Sequence, residues 1–437
     1  MKIPKRIANT LINALKGGVV PRIGLPYVTV GRSAEIDALL HDVDMIAEGG
    51  ASFRFITGKY GSGKSFLLQT IRNYVMAKNF VVVDADLSPE RRLQGTRGQG
   101  LATYKELIRN MSTKTKPEGG ALSLILDRWI GSVQQSVLEK TGLSLTDPAL
   151  APLVEKEIAA VVYALNEMVH GFDFARLLTL YYRAYIQGDE ETKAKVLKWF
   201  RGEYPTKTEA KQDLGVNIVI TDDDWYEYLK LFAAFLNRAG YAGMLVLIDE
   251  LVNIYKIPNA ITRQYNYEKI LAMYNDAMQG KAQHIGFILC GTPQCMEDPR
   301  RGVYSYEALR SRLAEGHFSG EHKDLLSPVI RLQPLTYEEM LVLVEKLADI
   351  HAQLYDYSQI VTQQDMADFI AIEFARIGAD THITPREVIR DFIEVLDIVY
   401  QNPQVKVAEL LGSDRFQYAQ NPVLSEETGE QFAEFTL

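Results

Sequence analysis

Cysteine is almost absent: 437 residues carry two, Cys290 and Cys295. Two thiols cannot staple a chain of this length, which excludes a disulfide framework and suits a reducing compartment, so both read as buried or incidental. No run reaches the ~18 apolar residues of a membrane helix, and the first residues lack the continuous apolar core of a signal peptide. A cytoplasmic protein with no membrane partner is expected. Acid is missing from the first 34 residues, where Lys2, Lys5, Arg6, Lys16, Arg22 and Arg32 form a basic arm. Over the whole chain the balance reverses to a net charge of -9, which argues against a protein coated with nucleic acid but leaves room for a local basic patch.

What is present is an ordinary globular composition, 47% hydrophobic and 24% charged, in a chain long enough for two or three domains. Its organising stretch is Phe53-Arg-Phe-Ile-Thr-Gly58-Lys59-Tyr60-Gly61-Ser62-Gly63-Lys64-Ser65-Phe66, an apolar strand, a glycine-rich turn and a helix start. The spacing Gly58, Gly63, Lys64, Ser65 fits G-x-x-x-x-G-K-[ST] in the strand–turn–helix context that makes a phosphate loop credible. Glycines let successive N–H groups turn inward toward phosphate oxygens, and the new helix adds its positive end. Lys64 then reaches the β- and γ-phosphates and the Ser65 hydroxyl ligates Mg²⁺.

A second half of the site is legible at Met244-Leu-Val-Leu-Ile248-Asp249-Glu250, five apolar residues and two acids at a strand end. C-terminal strand ends of a parallel sheet meet at the ligand crevice, so Asp249 is expected to hold the metal and Glu250 to activate water. ATP is the expected nucleotide, since no N-K-x-D-like guanine reader follows the loop.

Elsewhere periodicity dominates. Ile3, Ile7, Leu11 and Leu15 recur at helical spacing before Gly17-Gly18, either as a contact for nucleic acid or a partner, or as a helix laid on the nucleotide domain. Phe80 to Asp86 reads as a buried strand beside the phosphate-loop strand, followed by a flexible basic loop with Arg91, Arg92 and Arg97. From about Leu101 to Gly215 apolar stripes such as Leu122, Ile125, Leu126, Trp129 and Ile130 predict a helical insertion, closed by a charged stretch containing Trp199 and Phe200. His284 to Thr292 and Pro328 to Leu332 read as further strands. Thr336 with Glu339 and Thr384 with Glu387 read as helix-starting capping boxes.

Several residues carry a family resemblance. Tyr27-Val-Thr-Val30-Gly31-Arg32-Ser-Ala-Glu35-Ile-Asp reads as a short extended piece, a glycine turn and a helix capped by Ser33, and its Val30-Gly31-Arg32 to Glu35-Ile part resembles the adenine-side element of AAA+ and STAND ATPases, most of all the origin-recognition-like branch. The resemblance implies that Val28 and Val30 border the adenine. It also implies that Thr292, or Gln294 in its place, acts as the first sensor and Arg310 or Arg312 as a finger toward a neighbouring subunit. Arg386, an otherwise unfavourable cation in a helix's first turn, would be the second sensor. Over nearly the whole chain the order of elements resembles AAA+-type ATPases, and the opening basic helix, Val30-Gly31-Arg32, Gly58 to Ser65 and Trp199-Phe-Arg-Gly-Glu203 look most like the BREX phage-defence ATP-binding proteins of the BrxC/BrxD type.

The expectation is therefore an α/β P-loop NTPase with a parallel central sheet, AAA+/origin-recognition-like, with a large helical insertion and a C-terminal helical lid. Residues 1–100 form the basic helix and first half of the nucleotide domain, 101–215 the insertion, 216–333 the second half, 334–411 the lid and 412–437 an acidic tail. The expected activity is Mg²⁺-dependent ATP hydrolysis in a defence machine, with other defence proteins, double-stranded DNA and further copies of the chain as partners. The alternatives are a STAND-like switch with little turnover and a DNA-loading ATPase.

Overall fold

In the computed structural model, which describes residues 2–314, 324–376 and 384–412, the chain divides into two units. Residues 32–333 form one, and residues 1–31 with 334–437 form the other.

The larger unit is built on five parallel strands, β1 (Ala51–Thr57), β2 (Val81–Asp86), β3 (Met244–Asp249), β4 (Ile285–Gly291) and β5 (Val329–Arg331), in the order β2-β3-β4-β1-β5. The continuous apolar runs of β3 and β4 take interior positions because helices cover both faces of a parallel sheet. One face packs Ile56, Val82, Leu245, Leu247 and Ile288 against the helices Ser33–Ala47 and Lys64–Ala77. The other packs Phe53, Phe55, Val83, Val246 and Phe287 into a core that runs on without a break through the helices Leu122–Thr141, Gly171–Gln187 and Trp225–Arg238.

The insertion is helical from Gln99 to Leu214, with Trp129, Phe174, Trp199 and Phe200 fully buried. Its aromatic rings meet those of the Trp225–Arg238 helix edge-on, Trp129 and Phe174 lying 5.0 Å from Phe235 and Phe232 respectively. Edge-to-face pairs of this kind add to plain burial. Burial on both sides of Arg54 fastens β1 in place: its guanidinium donates to both Asp42 oxygens, at 2.6 and 2.7 Å, and to the carbonyls of Leu325, Leu326 and Ser327.

Three local expectations differ from the structure. β2 does not lie beside β1; it pairs with β3 at the sheet edge, and its free edge is covered where Val82 and Ser112 exchange backbone hydrogen bonds. Residues 25–28 are a short helix, because Gly24 takes a left-handed turn and Pro26 suits a helix's first positions. Ser33 is the first helical residue, preceded by Arg32 at the cap position, with no side-chain cap.

The smaller unit consists of the helices Lys5–Lys16, Tyr337–Tyr355, Gln363–Arg376 and Pro385–Gln401, with shorter turns between. The basic N-terminal helix packs in this unit, burying Ala8, Leu11, Ile12 and Leu15. Its lysines find their acids there: Lys5 reaches Asp356 at 3.4 Å, and Lys16 reaches Asp397 at 2.5 Å. The Thr336–Glu339 capping box is formed on both sides. Thr384 accepts from the Glu387 amide and donates to its carboxylate. The expected acidic tail, from residue 413 on, lies outside the described residues.

Candidate nucleotide site

The parallel register brings the strand ends level: Thr57 pairs with Gly291, Ile248 with Leu289, and Asp86 with Asp249. The residues after these ends therefore share one rim.

From the end of β1 the chain turns through Gly58 to Gly63 into the helix Lys64–Ala77. Gly61 and Gly63 have φ of 79° and 93°, the left-handed region that glycine enters without strain. A Cβ on Gly63 would meet no heavy atom within 4 Å, whereas one on Gly58 would fall 2.4 Å from the Ser62 hydroxyl. The loop is thus tight on one side and open on the other. Tyr60 is exposed at its crest, and Phe66 is half-buried in the helix's first turn.

Lys64 spans the loop, its ammonium donating to the carbonyls of Gly58 at 2.7 Å and Lys59 at 2.8 Å. Burial pushes its pKa down, against the opposing pull of Asp249. A phosphate there would relieve that cost, because an anion favours the charged amine.

Ser65 donates its hydroxyl proton to Asp249 at 2.6 Å, and the other Asp249 oxygen accepts the Glu250 amide at 2.8 Å. Glu250 itself stands at φ 60°, unusual for a residue with a side chain. Its carbonyl is held by the Asn253 amide at 2.9 Å, while its side chain is exposed at the rim. Strain at such a residue is tolerated where its surroundings determine it and clusters at functional sites.

Sequence reasoning missed Asp86 and Asn253. Asp86 ends β2 in register with Asp249, and lost hydration together with the charges of Asp249, Asp84 and Glu250 pushes its pKa up to about 6. The same strand-end argument that singled out Asp249 also applies to Asp86, though only the pairing of β2 with β3 brings the two together. Asn253 carries no motif; it also donates to the Leu87 carbonyl at 2.8 Å and so ties the turn after β3 to the end of β2.

The residues fit a magnesium nucleotide. Hydroxyl and carboxylate oxygens of Ser65, Asp249 and Asp86 are the hard donors that Mg²⁺ prefers. The buried hydroxyls of Ser62 and Thr57 have no hydrogen-bond partner among the described residues. Thr57 immediately precedes the glycine turn and Ser62 lies within it.

The remaining candidates are placed as follows. Thr292 follows β4, and its side chain caps the short helix Pro293–Glu297 by accepting from the Cys295 amide; Gln294 is exposed in that helix. Cys290 and Cys295 are free, buried thiols. Arg310 and Arg312 are both exposed, Arg310 bonded to Glu307 and Arg312 to the Ala308 carbonyl. Val30 and Arg386 belong to the smaller unit: Val30 is half-buried next to Thr29, whose carbonyl accepts from Lys346, and Arg386 is half-buried in the first turn of Pro385–Gln401.

Among the described residues no helix is long and apolar enough to cross a membrane. No curated protein matches the chain. The family model described as BREX system ATP-binding protein BrxC/D matches residues 3–415. A phosphate loop joined to an acidic strand end, on a parallel sheet and within a match that spans nearly the whole chain, places this protein in the BREX system ATP-binding protein BrxC/D family.

Proposed function

We propose that the protein hydrolyses ATP with Mg²⁺ in an AAA+-like manner and works as one component of a prokaryotic phage-defence system. The observation that carries this reading is the Ser65–Asp249 hydrogen bond, which joins the phosphate loop to the acid-bearing strand at metal-ligand residues. Backbone amides of residues 59 to 65 and the Lys64 ammonium hold the phosphates. Ser65 and Asp249 would hold Mg²⁺, which would supply neutralisation of phosphate charge. Glu250 takes the proton of the attacking water as general base. Thr292 orients the γ-phosphate from the end of β4, while Val30 borders the adenine and Arg386 reads the triphosphate.

Arg310 or Arg312 acts in trans in a homo-oligomer, since a finger arginine can come from a second subunit and both side chains are exposed. Other defence-system proteins are the partners that family membership favours. Duplex DNA is a further partner through exposed cations such as Lys2, Arg6 and Arg97, whereas Lys5 and Lys16 are engaged by acids of their own unit. The compartment is the cytoplasm.

Steady-state phosphate release from the parent and Glu250→Gln proteins, with and without duplex DNA, tests the reading. Turnover that Glu250→Gln removes supports it. ATP binding without turnover under every condition would favour a signalling switch instead.

A further inference from the structure

The buried Arg32 side chain lies at the back of the phosphate loop. Its guanidinium donates to the Ser62 carbonyl at 3.2 Å and to the Gln333 carbonyl at 2.9 Å, and it lies 3.7 Å from the buried Glu35 carboxylate. A cation only 6% exposed is costly unless paired and hydrogen-bonded. These partners meet that requirement, and they include a carbonyl of the loop itself.

The Ser62–Gly63 peptide is planar and trans, so its N–H points opposite to its C=O. Pinning the Ser62 oxygen toward Arg32 therefore turns the Gly63 N–H the other way. That amide has no protein acceptor among the described residues, and it precedes Lys64 on the open side of the loop. Arg32 and Gln333 are also the first and last residues of the larger unit, so one guanidinium ties the loop to both points where the chain leaves it.

We propose that Arg32 is a positioning residue that orients the Ser62–Gly63 peptide so that the Gly63 N–H faces the phosphates. The inference rests on the ATP-binding reading above. One planar Nη2 donates to both carbonyls while Nη1 faces Glu35, a fixed arrangement that a lysine ammonium on a flexible stem does not reproduce. Arg32→Lys keeps the charge beside Glu35 and should loosen the peptide.

Calorimetric affinities for Mg·ATP and Mg·ADP, with melting temperatures of the nucleotide-free proteins, test this in the parent, Arg32→Lys and Asp42→Asn. The last variant breaks the buried Arg54 pair and is the control for lost stability alone. The expected result is that Arg32→Lys binds both nucleotides about tenfold more weakly, the loss of roughly one charge-assisted hydrogen bond. Asp42→Asn, even when it melts as low or lower, should bind like the parent. Parent-like affinity in Arg32→Lys overturns the proposal, as does an equal loss in an equally destabilised Asp42→Asn. A parent protein that binds neither nucleotide removes the ATP reading, and the proposal with it.

Discussion

The Ser65 hydroxyl and the Asp249 carboxylate, 184 positions apart in sequence, lie 2.6 Å from one another. The pair connects a helix start on one strand to the end of another, and between β1 and β3 the sheet interposes β4. Both side chains thus reach across the end of β4 to meet, which makes this contact sensitive to the whole arrangement of strand ends.

Division of labour along that contact is the first test. Lys64→Ala should reduce ATP affinity at least about a hundredfold, because it removes a charge directed at phosphate. Glu250→Gln should bind like the parent but release phosphate at least about a hundredfold more slowly, the lower range for loss of a positioned base. Asp249→Asn should bind ATP with little dependence on added Mg²⁺. Calorimetry and single-turnover phosphate release check all three, and parent-rate turnover in Glu250→Gln would remove that residue from the mechanism.

Mixing experiments address Arg310 and Arg312. Among the described residues each has only exposed, local partners on its own helix, contacts of at most about 1 kcal/mol that a neighbouring phosphate can displace. A Lys64→Ala protein mixed with an Arg310→Ala, Arg312→Ala double variant should regain activity if the arginines act across subunits. Absence of rescue in a mixture shown to co-assemble counts against a finger in trans.

Arg386 leads to a prediction about nucleotide discrimination. A guanidinium bond to the γ-phosphate is available only in the triphosphate state, so Arg386→Ala should narrow the preference for ATP over ADP and leave ADP affinity unchanged. Unaltered ATP and ADP affinities, measured side by side by calorimetry, would show that the arginine does not read the nucleotide.

Acid should weaken the smaller unit through His351 and Asp397. Burial holds the fully enclosed His351 imidazole below its ordinary value, against the pull of Asp397. Burial would raise Asp397, but hydrogen bonds from Lys16 and His351 outweigh it and hold this carboxyl below the usual range. For both groups the unfolded chain takes up its proton first as pH falls. His351 therefore loses its contribution below about 6.5 and Asp397 below about 3.9. Asp86 in the larger unit has the opposite sign, since its raised pKa makes its ionised form a cost that acid removes through about 6. Comparison of parent with His351→Gln cancels that background: the variant's melting temperature should fall less between pH 7.5 and pH 5.5. An equal fall in both proteins would assign the acid sensitivity elsewhere.

Much of the candidate site is legible in the sequence itself. Gly58, Gly63, Lys64 and Ser65 could be recognised because phosphate binding by backbone amides demands specific residues at specific local spacing. Asp249 and Glu250 were legible because an apolar run ending in acids marks a buried strand with a polar rim. The helices between residues 101 and 215 followed from apolar stripes of period 3.6, and Leu122, Ile125, Leu126, Trp129 and Ile130 are buried as that stripe implies.

What local pattern cannot encode is which element a strand or helix pairs with. β2 carries the same β-branched signature at a sheet edge as it would have beside β1, so its neighbour was misjudged and Asp86 went unnoticed. The basic N-terminal helix could not announce its partners, because Asp356 and Asp397, its counter-charges, lie more than 340 residues away in sequence. Arg32 looked like one more cation of a basic arm until folding buried it and placed it against Ser62 and Gln333. The chemistry of the loop was written into residue types and spacing, which act locally; the groups that orient it were decided only by tertiary structure, since a buried charge takes its meaning from whichever distant oxygens the fold brings to it.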